Sequence, residues 1–518
     1  MTTLSSVSLA SALLGASSPI ERVSRLSATA PATQDASTPQ PSSIVTIGQV
    51  GSASPSPAYY VVPIAAPVVT WETNTIDGIT KLMAGNYQSQ SLAGQFNGLG
   101  SALLTQLANG GGDYSQSVQV GSGSSLGGFE QALSGNQANI KLTIETKSGV
   151  EVDVTLENQG GELSVTMQSH GSLSTAERGA IGKLSSAFQS AINGLDAVPP
   201  ALDLSGLSQY DPSLISSVDL SSQMTGNDQS AQSIDFHADS LARTVSVGGG
   251  AGSIKMDVDM SNPAIWGSPQ RQAQAINGYL QQFDQANTQG QGNASLMALF
   301  KEAFTQMNSN DVAASGQSSA ANSVSPLQQT EQAMLTGLPD FNASITDTPK
   351  ASNPMRLNEM DTFSYQVSQQ TQVAGGTRDG SITQHQHSEL NASHHQALSS
   401  DAPLDLTLKT NSQNYDYVRV QDEADSTTNI AYQNGQLTNA SLIRSADKST
   451  HQQTYVLGKL VQDKTTPSEQ SQSRDFLALL KPFLTDRNPQ PDAIQFQNTL
   501  SEIHGQIFLQ ADPASLSN

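Results

Sequence analysis

The sequence predicts an α+β protein of several domains, built from antiparallel strands with covering helices. Two patterns carry that reading. Short runs in which apolar and polar residues alternate recur through the chain, and helical apolar stripes follow several of them. The polar positions are filled chiefly by Ser, Thr, Asn and Gln, because only 13% of the 518 residues are Asp, Glu, Lys or Arg, against about 25% in ordinary domains.

Residues 1–70 are rich in Ser, Ala, Pro and Thr, and the prolines from Pro55 to Pro67 are too dense for a helix or a central strand. A disordered leader is expected there. Residues 71–137 read as a helical segment, with Leu92, Phe96, Leu99, Leu103 and Leu107 on one face, followed by a Gly-rich loop.

Residues 138–200 hold the clearest pattern. Ile140, Leu142 and Ile144 alternate with polar residues; so do Val150, Val152, Val154 and Leu156, and then Leu163, Val165 and Met167. Ser174 and Glu177 form a capping box ahead of the stripe Ile181, Leu184, Phe188, Ile192 and Leu195. This is a strand–strand–strand–helix module.

Residues 201–310 repeat the order. Ile234 and Phe236, then Val245 and Val247, then Ile254, Met256 and Val258 alternate; Ser268-Pro269 opens a helix carrying Ile276, Leu280 and Phe283. A further helix spans Leu296 to Met307, and the recurrence points to a duplication.

Residues 311–358 read as a linker and residues 359–465 as a strand-rich region. Its alternating sets are Phe363–Val367, Leu404–Leu408, Tyr415 with Tyr417, and Ile430 with Tyr432, and Asn434-Gly435 offers a hairpin turn. Residues 466–518 read as a helical hairpin. Thr466-Pro467-Ser468-Glu469 caps the first helix, and Phe496, Leu500, Ile503 and Ile507 form the stripe of the second.

Composition excludes several function classes. A net charge of −22 without a Lys/Arg patch disfavours nucleic acid. With no cysteine, disulfides, thiolate metal sites and cysteine nucleophiles are ruled out. No apolar run approaches the ~20 residues of a transmembrane segment. The run Leu9–Ala16 resembles a signal core, but the first basic residue, Arg22, comes after it. Export without a cleaved signal peptide, or a cytoplasmic location, is therefore expected.

Two constellations bear on chemistry. After Val118–Val120, the glycines Gly121, Gly123 and Gly127 could turn backbone N–H groups toward a pyrophosphate, with Glu145 downstream for a ribose hydroxyl. Leu126 stands where the third glycine of the fingerprint belongs, and Phe129–Leu133 is too short for a crossover helix. A loop is the plainer reading and a dinucleotide-dependent oxidoreductase the alternative.

His385, His387, His394 and His395 fall within eleven positions. On a strand His385 and His387 share a face, as a metal requires. Glu389 is the only nearby carboxylate, so a solvated strand face is the plainer reading and a metal-binding module a second alternative. Asp257, Asp259 and Asn262 do not make a calcium loop, because Asn262 replaces the required Gly and Ser268 the required Glu. No nucleophile elbow, His-Glu-x-x-His or phosphate loop occurs.

The expectation is a non-catalytic, exported, structural or interaction protein of bacterial style, with protein partners and no cofactor. In composition (cysteine-free, acidic, rich in Ser, Gln and Asn) it resembles the axial and accessory proteins exported through flagellar-type secretion systems. That resemblance implies an N-terminal export or docking segment ahead of a folded body.

Overall fold

The computed structural model describes residues 69–74, 76–87, 89, 91–120, 137–195, 201–225, 231–309, 329–376, 378–399, 403–484 and 493–516. The expected leader falls outside these residues up to position 68, and its end forms the strand β1 (Val69–Trp71). Helices α1 (Gly78–Asn86), α2 (Leu92–Gln95) and α3 (Leu99–Ala108) lead to β2 (Tyr114–Val120), the partner of β1. The stripe from Leu92 to Leu107 is buried as expected, but Gly98, at φ 73°, breaks it into two helices.

Strands β3 (Gln137–Thr146), β4 (Glu151–Gln159) and β5 (Glu162–Ser169) form a meander. Helix α4 (Thr175–Lys183) starts at the Ser174–Glu177 capping box, and α5 (Ser185–Leu195) and α6 (Ser205–Ser208) follow. Strand β6 (Ile215–Thr225) returns beside β3, and β7 (Ala231–Ala238), β8 (Ala242–Gly249) and β9 (Gly252–Asp259) continue the sheet.

Helix α7 (Pro269–Gly290), capped by Ser268, α8 (Ala294–Asn308) and α9 (Gln329–Ala333) precede β10 (Asp340–Asp347), which docks on β9. Five successive antiparallel connections then add β11 (Thr362–Gly375), β12 (Gly380–Ala397), β13 (Tyr415–Gln433), β14 (Gln436–Val456) and β15 (Lys459–Asp475). Asn434 and Gly435, both at positive φ, make the tight turn between β13 and β14. Helices α10 (Leu477–Leu484) and α11 (Ala493–Gln506) end the chain's regular structure.

All of these strands join one antiparallel sheet of fifteen, in the order β1-β2-β5-β4-β3-β6 and then β7 to β15 in sequence. Helices plus a large antiparallel sheet therefore replace the expected series of separate modules. Residues 65–518 form one compact unit. The two strand–strand–strand–helix stretches are present, yet they differ in exit. After the first, β6 docks on the meander's opening strand β3; after the second, β10 docks on its closing strand β9.

Three element-level expectations are corrected. The expected linker 311–358 contains β10, whose Phe341, Ala343 and Ile345 are buried between β9 and β11. Leu404, Leu406 and Leu408 alternate but form no strand; Leu408 is 75% exposed and has no neighbouring strand to pair with. The supposed cap at Thr466–Glu469 lies inside β15, and the helical hairpin starts only at Leu477.

Most apolar residues of the strands lie on one face, under the helices, while Tyr415, Tyr417 and Tyr455 form a small cluster on the other. Leu103 and Leu107 of α3, Phe188 and Ile192 of α5, Tyr279 and Phe283 of α7, and Phe300 and Phe304 of α8 share one core with inward residues of strands from β2 to β14. Aromatic edge-to-face contacts knit its centre, with Phe283 against Phe300, Phe304 and Tyr365 at centroid distances of 4.9, 5.1 and 5.8 Å. A second cluster seats Phe476, Leu480, Leu500 and Ile503 on Ile382, Ile430, Ala440 and Leu442.

Buried glutamines tie irregular segments to this face. Gln386 accepts from Tyr279 Oη and Leu509 N and donates to the Ile507 carbonyl. Gln384 accepts from Thr336 N, and Gln369 donates to the Leu338 carbonyl. The opposite face of the sheet carries Thr143, Thr155, Ser164, Gln223, Asn342, Gln366 and similar residues, all at least partly exposed. The scarcity of charge thus has a structural place, since uncharged polar side chains build both the bare face and the internal ties.

Candidate functional site

Strand β12 positions all four candidate histidines: alternation puts His394 on the covered face and His385, His387 and His395 on the other, where the segment around Glu359 and Asp361 buries His395. His385 and His387 project from the bare face; His394 and His395 are buried near the end of the strand. Register places Thr427 directly opposite His385 and Asp425 directly opposite His387 on β13. Nδ1 of His387 lies 2.9 Å and Nε2 of His385 3.3 Å from the same oxygen, Oδ1 of Asp425. The other ring nitrogen of His385 lies 3.0 Å from Thr427 Oγ1. The two rings stand 6.2 Å apart and 19° from parallel. Asp425 is the member that sequence spacing missed, and only the strand register brings it in.

His395 belongs to a different, closed constellation. Its Nδ1 is 2.6 Å from Asp361 Oδ1, its Nε2 is 3.3 Å from Glu359 Oε2, and its side chain is 0% exposed. Asp361 also accepts from the His395 backbone N–H and from Ser352 Oγ, and Tyr415 Oη donates to Glu359 at 2.6 Å. Burial alone would raise the Asp361 carboxyl; the bonds from His395 and Ser352 hold it below the usual carboxylate range. The imidazole packs against the Tyr415 and Tyr417 rings, Tyr455 stacks on Tyr415, and Arg356 lies over Tyr455.

This group fastens the segment before β11 to β12, β13 and β14. The His395 side chain has no exposed surface, whereas that of Asp361 is 28% exposed. Removing one partner of such a buried pair costs about 3–5 kcal/mol, because a charge is left uncompensated. His394, pushed down by burial, is close to Asp361 but not part of the outer-face set.

The dinucleotide candidates do not converge. Gly121, Gly123 and Gly127 lie outside the described residues, and Glu145 is an exposed residue on the bare face of β3. The flanking strands β2 and β3 are not neighbours, and every pairing in the sheet is antiparallel. A dinucleotide fold needs parallel strands joined by crossover helices, with the ligand where the strand order reverses. The described strands contain no such unit.

The chain matches no family model, no curated protein and no solved structure. Function must therefore be argued from the surface itself.

The bare face has one strongly charged feature. Glu389, Glu423, Asp447 and Glu469 stand directly opposite one another on β12, β13, β14 and β15. Neighbouring strands are about 4.8 Å apart, so this is a row of four carboxylates running to the last strand of the sheet. None of the four has an ion-pair partner among the described residues; Glu389 accepts from Asn391 Nδ2 at 2.6 Å. Like charges directly opposite destabilise a sheet, so the row works against folding. Among the described residues no helix is long and apolar enough to cross a membrane.

Proposed function

We propose that this chain is a non-catalytic structural or interaction protein whose working surface is the bare face of the sheet over β12–β15. The observation that carries the reading is the carboxylate row Glu389–Glu423–Asp447–Glu469. Proteins break local stability rules mainly where function requires it, and four aligned carboxylates make a surface complementary to a protein partner rich in Lys or Arg. The antiparallel pairing of the described strands leaves the dinucleotide-dependent alternative without its scaffold.

The test uses the full chain and two peptides of equal length, one Lys-rich and one Glu-rich. The Lys-rich peptide is expected to bind, and to bind more weakly as salt rises. The double substitution Glu423→Gln and Asp447→Asn is expected to abolish that salt-dependent binding while stabilising the fold by about 0.5–2 kcal/mol, as repulsive cross-strand pairs are removed. Equal binding of both peptides, or loss of stability in the variant, would overturn the reading.

Export through a flagellar-type apparatus is part of the same proposal and rests on the cysteine-free, Ser- and Gln-rich composition. Retention of the chain inside cells that carry such an apparatus would remove that part. The recurrence of three strands followed by helices at 137–195 and 231–290 supports a duplication as the origin of the middle of the sheet.

A further inference from the structure

We infer that His385, His387 and Asp425 form a binding site for a divalent first-row transition ion, of which zinc is the natural representative. The ligands themselves are distinct from the carboxylate row, and the inference does not depend on any partner that the row recruits.

Backbone geometry sets the site. His385 and His387 are alternate residues of β12, held in register by Gln370 and Ser368 of β11 on one side and by Thr427 and Asp425 of β13 on the other. Both side chains must therefore leave the same face, roughly 7 Å apart at the backbone. Asp425 reaches up beside them from the adjacent strand. One ligand atom from each of the three residues falls within 4.8 Å of the other two.

The separations fit a coordination sphere. With metal–nitrogen bonds of about 2.0–2.1 Å and metal–oxygen bonds of about 2.0–2.2 Å, adjacent ligand atoms lie roughly 3.3 Å apart around a tetrahedral ion and roughly 3.0 Å around an octahedral one. The two nitrogens stand 3.3 and 2.9 Å from the shared carboxylate oxygen. Rotation of the half-exposed rings closes the remaining edge without moving the strands.

Chemistry narrows the ion. Two imidazoles and one carboxylate suit zinc, nickel or copper better than calcium or magnesium, which favour oxygen ligands. Thr427 Oγ1 lies 3.0 Å from His385 Nδ1, so the hydroxyl can hold a proton on that nitrogen while Nε2 ligates. Such an outer partner fixes the tautomer and the ring orientation of a ligating histidine. The adjacent row of the sheet, Glu389 and Glu423, adds negative charge beside the site. The remaining coordination positions face solvent.

A second trio, Glu151, Asp153 and His170, also brings its ligand atoms together, but with one imidazole. It serves as the internal control. The full chain, stripped with a chelator and exchanged into metal-free buffer, is titrated with zinc chloride alone by calorimetry. One tight equivalent is expected, together with the visible absorption of a bound cobalt ion when cobalt(II) replaces zinc. The His385→Ala, His387→Ala double variant should weaken that equivalent more than about 100-fold; Asp425→Asn should weaken it as well, and His170→Ala should leave it unchanged. These side chains lie on the bare face, so folding is checked by an unaltered thermal midpoint. Unchanged zinc affinity in the double variant, loss of the tight equivalent in His170→Ala, or no tight equivalent in the unmodified chain would overturn the inference.

Discussion

At the scale of residues, the histidine spacing on β12 was legible and its carboxylates were not. Period-2 geometry places His385 with His387, but Asp425 and Asp361 lie far along the chain and arrive only through strand register and a folded loop. Two other buried groups carry a prediction of their own. His504 sits on α11, where burial and then the Arg271 guanidinium push its pKa down to about 4, against the pull of the Ala333 and Leu335 backbone. Asp422, on the covered face of β13, is pushed up to about 6 by burial and by Asp512, although Lys448 and Gln289 act the other way. The signs oppose. Between pH 6.5 and 4 the unfolded chain protonates His504 while the fold does not, so acid removes stability. Between pH 6 and 3.8 the fold holds a proton on Asp422 that the unfolded chain releases, so acid adds stability. Each contribution is on the order of 3 kcal/mol at full extent, and the two act in opposite directions. Thermal midpoints measured from pH 7 to 4 should therefore fall more steeply in Asp422→Asn than in the unmodified protein. In His504→Gln they should fall less steeply. Parallel profiles would show that neither group is coupled to folding.

At the scale of elements, alternation marks a strand where one face is buried, as at Ile140–Ile144 and Ile254–Val258, and fails at Leu404–Leu408, where it is not. The failures are equally physical. β10 was hidden by its Ser, Asn and Ala, which resemble linker residues although Phe341 and Ile345 are fully in the core. β15 was misread because Thr466–Glu469 has the spacing of a capping box, whereas pairing with the long strand β14 decides its conformation. β15 also poses a problem that sequence patterns do not reveal. It pairs with β14 alone among the described residues, and almost all of its 17 residues are exposed. A long open edge is a template for further strands. Pro467, near its middle, has no N–H to offer, and Lys459 and Lys464 add charges to the same edge. Replacing Pro467 by threonine restores a donor at mid-edge and removes the restriction on the preceding residue. The variant should self-associate at concentrations where the unmodified chain does not, with the difference read by sedimentation velocity. Identical sedimentation of the two proteins would assign the protection to charge alone.

At the scale of the whole sheet, the composition that breaks the sequence into apparent domains does not break the structure. Ser- and Gly-rich stretches fall at connections, so the modules look separable, but antiparallel pairing carries across every one of them. The main core runs from Ile79 to Leu516 without division, and Trp266 packs against both it and the C-terminal cluster. Such continuity makes unfolding cooperative, because releasing one meander exposes the apolar face and the unpaired edge of the next. The two tryptophans allow a direct test, since Trp71 lies on β1 at one end of the sheet and Trp266 lies between β9 and α7. Single-tryptophan proteins made by Trp71→Phe and by Trp266→Phe each report on one location. Their urea transitions should coincide in midpoint and match the loss of far-ultraviolet circular dichroism. Separate domains joined by linkers would instead give an early and a late transition, one for each tryptophan. Coincidence would mean that the sheet folds as one body despite its length, with no boundary between the stretches that composition separates.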